Sequence, residues 1–288
     1  MRIAERLAQP EPCFSFEFFP PKTDEGVASL MTTIGELADL QPGFVSVTYG
    51  ALGSSRQRTL EVATHIKAAT GIEPMAHLSC VGHTSDELSA ILTSLVSSGI
   101  ENVLAIRGDG SPTAASADGR SFQYASELVR FVRHDRPTLC VGAAAHPEGH
   151  LECPDRARDL AHLKAKVDQG VDFLITQLFF DNAFYFDFVR RARQARIRVP
   201  IVPGIMPITN FEQIDRFTRL CGATLPMRLL LELEKRRNDS EAIQQLGIAH
   251  ATLQCQELLA RGVPGIHFYT LNRSRATQMI LAALRSGA

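Results

Sequence analysis

A carboxylate sits inside an aromatic run near the start of this chain: Glu17 lies between Phe16 and the pair Phe18-Phe19. Burial in such a run penalises the charged form of a carboxyl group and raises its pKa. A carboxyl moved towards neutrality can act as a general acid near pH 7. The plainer alternative is a buried ion pair with Arg107 or another base. Arg107-Gly108-Asp109 is the second constellation. Its glycine lets a ligand approach backbone, and its charges suit opposite ends of a polar ring or a phosphate. His146 and His150 bracket Pro147-Glu148-Gly149 at a superficially metal-like spacing, but proline and glycine break the helix that would align the imidazoles, so no metal is expected there. No G-x-G-x-x-G follows the first apolar run and no Walker loop occurs, so a Rossmann site is not supported, and no fingerprint separates NADH from NADPH.

Short β-rich runs alternate with stretches of helical period. The strand-like runs are Phe14 to Phe19, Phe44 to Tyr49, Pro74 to Cys80, Asn102 to Arg107, Leu139 to Ala144, Phe173 to Phe179, Val199 to Gly204 and Gly265 to Thr270. Between them, apolar residues recur at three-four spacing, as in Val27, Leu30, Met31, Ile34 and Leu37. Thr84 with Glu87 and Thr209 with Glu212 read as capping boxes, and Asp181 as an N-cap. Gly71, Gly99, Gly170 and Gly262 each end a helix just before a β-branched residue that opens the next strand. Strands alternating with helices imply parallel strands and helical crossovers. Eight such units predict one closed (β/α)8 barrel over residues 1–288, with an open sheet as the alternative. An extra helical segment, about 225–233 and then 241–260, is expected as an insertion between strands seven and eight.

Composition narrows the class of function. Thirty Lys and Arg against 31 Asp and Glu leave a formal charge of -1, without the basic surplus that a nucleic-acid or acidic-membrane binder needs. No apolar run approaches the roughly 18 residues of a membrane span. Met1 to Pro12 carries charges and prolines where an export signal would be apolar, which predicts a cytoplasmic protein. The six cysteines form no C-x-x-C pair and read as reduced thiols.

A barrel of this type builds its site from the loops at the C-terminal ends of its strands. The polar residues there are Glu17, Thr48-Tyr49, His77, Arg107-Gly108-Asp109, His146 with His150, Gln177 and Asn272-Arg273. Taken singly, each could be an ordinary hydrogen-bonder at the rim. Their convergence on one end is what suggests a site.

These residues lie in segments that resemble the methylenetetrahydrofolate reductases. The resemblance is carried by Ser15 to Lys22 (SFEFFPPK), Phe44 to Gly50 (FVSVTYG), Ala76 to Cys80 (AHLSC), Leu104 to Asp109 (LAIRGD), Ile175 to Asp181 (ITQLFFD), Ile201 to Pro207 (IVPGIMP) and His267 to Arg273 (HFYTLNR). It runs from about residue 13 to the last helix, in strand order, and matches the short bacterial form.

The resemblance implies an FAD-containing barrel that reduces 5,10-methylenetetrahydrofolate to 5-methyltetrahydrofolate, with NADH or NADPH as co-substrate and both hydride transfers at one site. Glu17 would be the acid that assists opening of the five-membered ring, and Asp109 would stabilise the resulting cation and hold the pterin. Gln177, Gln213 and Arg273 would bind folate, and Phe217 would stack on a ring, unless it is simply helix core. Thr48, Tyr49, Ala51, His77, Arg107, Gly108, Asp109, Ala125, His150, Asp159 and Lys166 would hold the flavin. His146 and His162 occupy flavin-site positions where the family usually has an aromatic residue and Asn. Ala165 stands where many members have Arg, and Leu151 and Cys153 depart from the family pattern as well. The partners implied are tetrahydrofolate one-carbon derivatives and further copies of the chain. Oxidation of methyl-folate would use the same site in reverse. Two alternatives stand beside this reading: a reductase that works without flavin, and a folate-binding barrel without catalysis.

Overall fold

The computed structural model describes residues 1–49, 56–108 and 122–286. Ala51 and Asp109 fall outside the described residues. Among the described residues nine strand segments, all paired in parallel, form one sheet: β1 (Cys13–Phe18), β2 (Phe44–Val47), β3 (Pro74–Ser79), β4 (Asn102–Ile106), β5 (Cys140–Ala145), β6 (Phe173–Thr176), β7 (Ile201–Val202), β8 (Gly204–Ile205) and β9 (Gly265–Tyr269). The order runs β7-β6-β5-β4-β3-β2-β1-β9-β8. The two ends of that order are neighbours in sequence, separated by Pro203 alone. β7 and β8 are therefore the two halves of the seventh barrel strand, one pairing back to β6 and the other forward to β9, and the ring closes through them.

Proline divides this strand because it has no N–H to give to the ladder. Its carbonyl still accepts from His267 N at 3.0 Å. Thr176 completes the seam. Its Oγ1 accepts from Gly204 N at 2.9 Å, and its carbonyl accepts from the Tyr269 hydroxyl at 2.7 Å. A side chain at Gly204 would meet that carbonyl at 2.3 Å, so only glycine lets the strand approach this closely.

The connecting helices are α2 (Asp24–Ala38), α3 (Arg56–Thr70), α4 (Ser85–Ser97), α5 (Ala125–Asp135), α6 (Arg156–Val167), α7 (Asn182–Gln194), α8 (Phe211–Cys221), α10 (Ser240–Ala260) and α11 (Arg275–Ser286). α9 (Met227–Lys235) lies ahead of α10, so the extra helical segment falls where expected. The Thr84 capping box and the Asp181 cap are present. The cap of α8 is Asn210, which accepts from Gln213 N, and not the Thr209–Glu212 box the sequence suggested. Gly71, Gly99, Gly170 and Gly262 all take positive φ.

One short helix was not anticipated. α1 (Ile3–Leu7) carries Ile3 and Leu7 into an apolar cluster with Cys13, Phe44, Met75, Leu104, Cys140 and Phe173. It closes the N-terminal end of the barrel, and Asn102 Oδ1 receives Ile3 N at 2.8 Å. Phe16, Phe18, Val45, Val47, Ala76 and Leu78 belong to a separate, larger cluster with the helices. This division follows the two-residue alternation of a strand, one row facing inward and the next outward. The inward row is apolar at the closed end and turns polar further along, at Ser15, Glu17, Ser46, His77 and His267.

Candidate active site

The polar band places Glu17 between two imidazoles. Glu17 Oε2 lies 3.3 Å from Nε2 of His77 and 3.6 Å from Nε2 of His267. The His77 contact is close but out of line for a hydrogen bond, so its Nε2 stays buried without a hydrogen-bond partner. Ser46 Oγ donates to Glu17 Oε2 at 3.3 Å and lies 3.4 Å from His267 Nε2. His267 is wholly buried; its Nδ1 meets Ser15 Oγ at 2.8 Å, and its ring stacks on Phe44 at 5.8 Å. Strand alternation explains the grouping. Ser15 and Glu17 are two apart on β1, Ser46 pairs with Glu17 across to β2, and Ser15 pairs with His267 on β9.

This environment corrects the electrostatic expectation for Glu17. Burial pushes its carboxyl up, as anticipated, but the adjacent imidazoles of His267 and His77 outweigh that and hold it at about 2. The partner is not Arg107, which forms a two-pronged pair with Glu152 instead, with Nη2 to Oε1 at 2.6 Å. Glu17 is therefore the carboxylate of a buried cluster with two imidazoles beside it. The phenol of Tyr269 next to it is raised by burial first and by the Glu17 charge second.

A second cluster lies at the ends of β5 and α6. Lys166 is half-buried, its Nζ donating to Ala144 O at 2.6 Å, and burial of the ammonium pulls it down to about 8 against a small opposing pull from Asp159. His146 stands edge-on to His150 with ring centres 4.7 Å apart. Burial first, then the charges of Lys166 and His150, hold His146 down at about 3, so it serves as a neutral flat ring. Asp159 accepts from His150 N at 3.3 Å. A buried ammonium with one carbonyl as hydrogen-bond partner has unused donors for an anion. Gly108 lies at the rim between the clusters with φ +89, and a Cβ there would strike Ser79 Oγ at 2.0 Å.

The remaining residues singled out in the sequence are dispersed around the mouth. Thr48 is buried at the end of β2, and the Tyr49 hydroxyl meets His83 Nε2 at 2.9 Å. Ala125 opens α5 and His162 lies exposed on α6. The Gln177 side chain folds back to accept from Leu178 N at 2.9 Å. Gln213 and Phe217 share α8, where Phe217 packs against a small cluster containing Leu178, Phe180 and Ile214. Arg273 is exposed and lines a shallow cleft with Thr209, Tyr269, Thr270 and Leu271. Among the described residues no three His, Cys, Asp or Glu side chains gather as a metal would need.

Sequence reading assigned no role to His267, Ser15 or Ser46. The available signal was polar residues two apart inside apolar strands: Ser15 and Glu17, Ser46 and Thr48, His77 and Ser79.

A closed parallel barrel with a buried acid–imidazole cluster and a lysine ammonium at one mouth has the architecture in which barrel proteins build their sites. The methylenetetrahydrofolate reductase profile matches residues 2–285, and the chain belongs to that family. It is 40% identical over 271 residues to the 5,10-methylenetetrahydrofolate reductase of Salmonella typhimurium, covering 94% of this chain and 90% of that one. It is 38% identical to methylenetetrahydrofolate reductase (NADH) 1 of Arabidopsis thaliana over 99% of this chain and 51% of that one. The chain spans about half the length of the fission-yeast and plant relatives it matches. Among solved structures, an uncharacterized protein from Clostridium thermocellum that binds two copies of 5-methyl-5,6,7,8-tetrahydrofolic acid shares the fold, with a TM-score of 0.71 at 17% identity over 99% of this chain and 98% of that one.

Proposed function

We propose that this chain reduces 5,10-methylenetetrahydrofolate to 5-methyltetrahydrofolate with NAD(P)H by way of bound FAD. The observation that carries the reading is the buried Glu17–His77–His267 cluster facing the mouth of a barrel of this family. The donor set also fits FAD. Lys166 offers a buried ammonium to a diphosphate, Gly108 leaves the rim open to a close backbone approach, and His146 presents a neutral ring. Lys166 and His150 would hold the diphosphate side, while Thr48, Arg107 and Gly108 would hold the ring side. Bound FAD would supply the two-electron carrier between nicotinamide and folate.

The protein's own chemistry is proton transfer. Opening of the methylene bridge needs a proton on folate N10, which Glu17 would pass to that nitrogen through Oε2, with the imidazoles of His77 and His267 positioning the carboxyl. Asp109 would offset the positive charge that appears on the bridge carbon. The barrel wall keeps bulk water from the buried cluster, which strengthens each of these interactions. In the opposite direction the same carboxylate accepts the proton. NADH is the first nicotinamide to test, because the plant relatives carry it in their names. The six unpaired thiols suit a reducing, cytoplasmic compartment.

The test is a visible spectrum of the purified protein, recorded anaerobically before and after NADH and again after methylenetetrahydrofolate. A yellow protein that bleaches and then recovers its colour supports the reading. A colourless protein that FAD does not reconstitute removes the flavin, and turnover by that protein assigns direct hydride transfer.

A further inference from the structure

Phe19 breaks the pattern of the aromatic run that contains it. Phe16 and Phe18 are fully buried among the helices, whereas Phe19 is 42% exposed. Its main chain is nevertheless fixed. The Asn272 side-chain amide accepts from Phe19 N at 2.7 Å and donates to Phe19 O at 2.8 Å. A primary amide bonded in this way imitates the peptide group of a neighbouring strand, so it extends the pairing of β1 by one residue after β9 has ended. Thr270 Oγ1 reinforces the same junction by donating to Glu17 O at 2.6 Å.

With the ladder extended, the alternation of β1 continues. Ser15 and Glu17 occupy the inward row, so Phe19 is its next member, one step closer to the mouth. Two residues of strand advance about 6.6 Å, roughly the length of one aromatic ring. An exposed ring on a fixed backbone, one ring-length above the acid, is a wall for stacking.

We infer that Phe19 binds the aminobenzoyl ring of the folate and thereby favours folates over tetrahydropterins that lack that ring. The inference rests on the function proposed above and on covalent structure. N10, which Glu17 protonates, is bonded directly to the aminobenzoyl ring. Whatever holds N10 at Glu17 places that ring within one ring-length of the carboxylate. Pterin lies on the other side of the methylene bridge and does not reach Phe19 in this orientation.

The experiment is calorimetric titration of the purified protein with 5-methyltetrahydrofolate, comparing wild type with Phe19→Leu, Phe19→Ala and Phe19→Tyr. Stacking of one aromatic pair corresponds to about 2- to 10-fold in affinity. Phe19→Leu is expected to weaken binding by about that factor and Phe19→Ala by more, with Phe19→Tyr within about 2-fold of wild type. NADH affinity, and the melting temperatures of the Leu and Tyr variants, are expected to stay unchanged. Unchanged folate affinity in Phe19→Ala, equal losses in Leu and Tyr, or a parallel loss for NADH would overturn the inference. Failure of the wild type to bind 5-methyltetrahydrofolate would instead remove the function on which it rests.

Discussion

Ser15 Oγ and His267 Nδ1 meet at 2.8 Å inside the barrel wall, where neither residue is accessible to solvent. This contact fixes the imidazole so that Nε2 faces Glu17 and Ser46. A histidine whose second nitrogen is held in this way keeps one orientation, which is what positioning the carboxyl needs. Glu17 is low because the imidazoles outweigh burial. Replacing His267 with Gln keeps polar atoms in place but removes one of the opposing charges and leaves the burial. The Glu17 carboxyl is then expected to rise. Carbon NMR of labelled Glu17 in the wild type and the His267→Gln protein measures this. An unmoved titration would show that His77 alone sets the carboxylate.

Glu17→Gln separates the two halves of the reaction. Electron transfer from NADH needs no proton from this cluster, so bleaching by NADH should proceed at close to the wild-type rate. Folate reduction should fall by about 10²-fold or more, the scale of lost general acid catalysis. Rapid-mixing measurement of each half separately is the check, and equal loss in both would refute the acid role. The same variant has a signature in stability. Glu17 titrates at about 2 in the fold, below an ordinary carboxyl near 4.3, so its stabilisation is complete above the ordinary value and disappears as pH falls towards 2. The stability gap between wild type and Glu17→Gln should shrink over that window.

Much of the fold was legible because its signals are local. The alternation of β-rich and helical runs, the Thr84 box and the glycines before strands each depend on a few adjacent residues. α1 was missed because five residues cannot announce a helix by period; it exists through what Ile3 and Leu7 bury. The burial of Glu17 was legible too, but its charge was not. The sequence shows the phenylalanines beside Glu17, whereas His77 and His267 arrive from strands 60 or more residues away and reverse the sign of the shift. Burial is a local property of a strand, and charge pairing is a property of the closed ring.

Lys166 stores a cost that ligand binding would relieve. Its ammonium titrates at about 8 in the fold and 10.5 unperturbed, chiefly through burial. Between those values the unfolded chain holds one more proton than the folded one, so stability attributable to Lys166 rises with pH across the window, and the full cost is felt below it. Lys166→Met should therefore stabilise the flavin-free protein at pH 7 by roughly 2–3 kcal/mol, read by urea denaturation, with the gain fading by pH 10. The same substitution should weaken FAD retention on gel filtration. A variant less stable than wild type at pH 7 would show that the bond to Ala144 outweighs the buried charge.

Asn272 combines a backbone demand with a side-chain one, and the two can be separated. It takes φ 58 directly after Leu271 at φ 53, a left-handed pair that is costly for residues other than glycine and less so for asparagine. Its amide also satisfies both main-chain groups of Phe19. Asn272→Ala loses both contributions and should cost about 2–4 kcal/mol: about 1 from each hydrogen bond and about 1 or more from the backbone. Asn272→Gly keeps the left-handed conformation freely and loses only the amide, so about 1 kcal/mol of that cost should return. Because the clamp sets the end of β1, both variants should raise the KM for folate together, although their stabilities differ. Urea denaturation alongside steady-state kinetics tests this pairing. A KM that followed stability, low in Asn272→Gly and high in Asn272→Ala, would mean that the turn and not the amide orders the mouth.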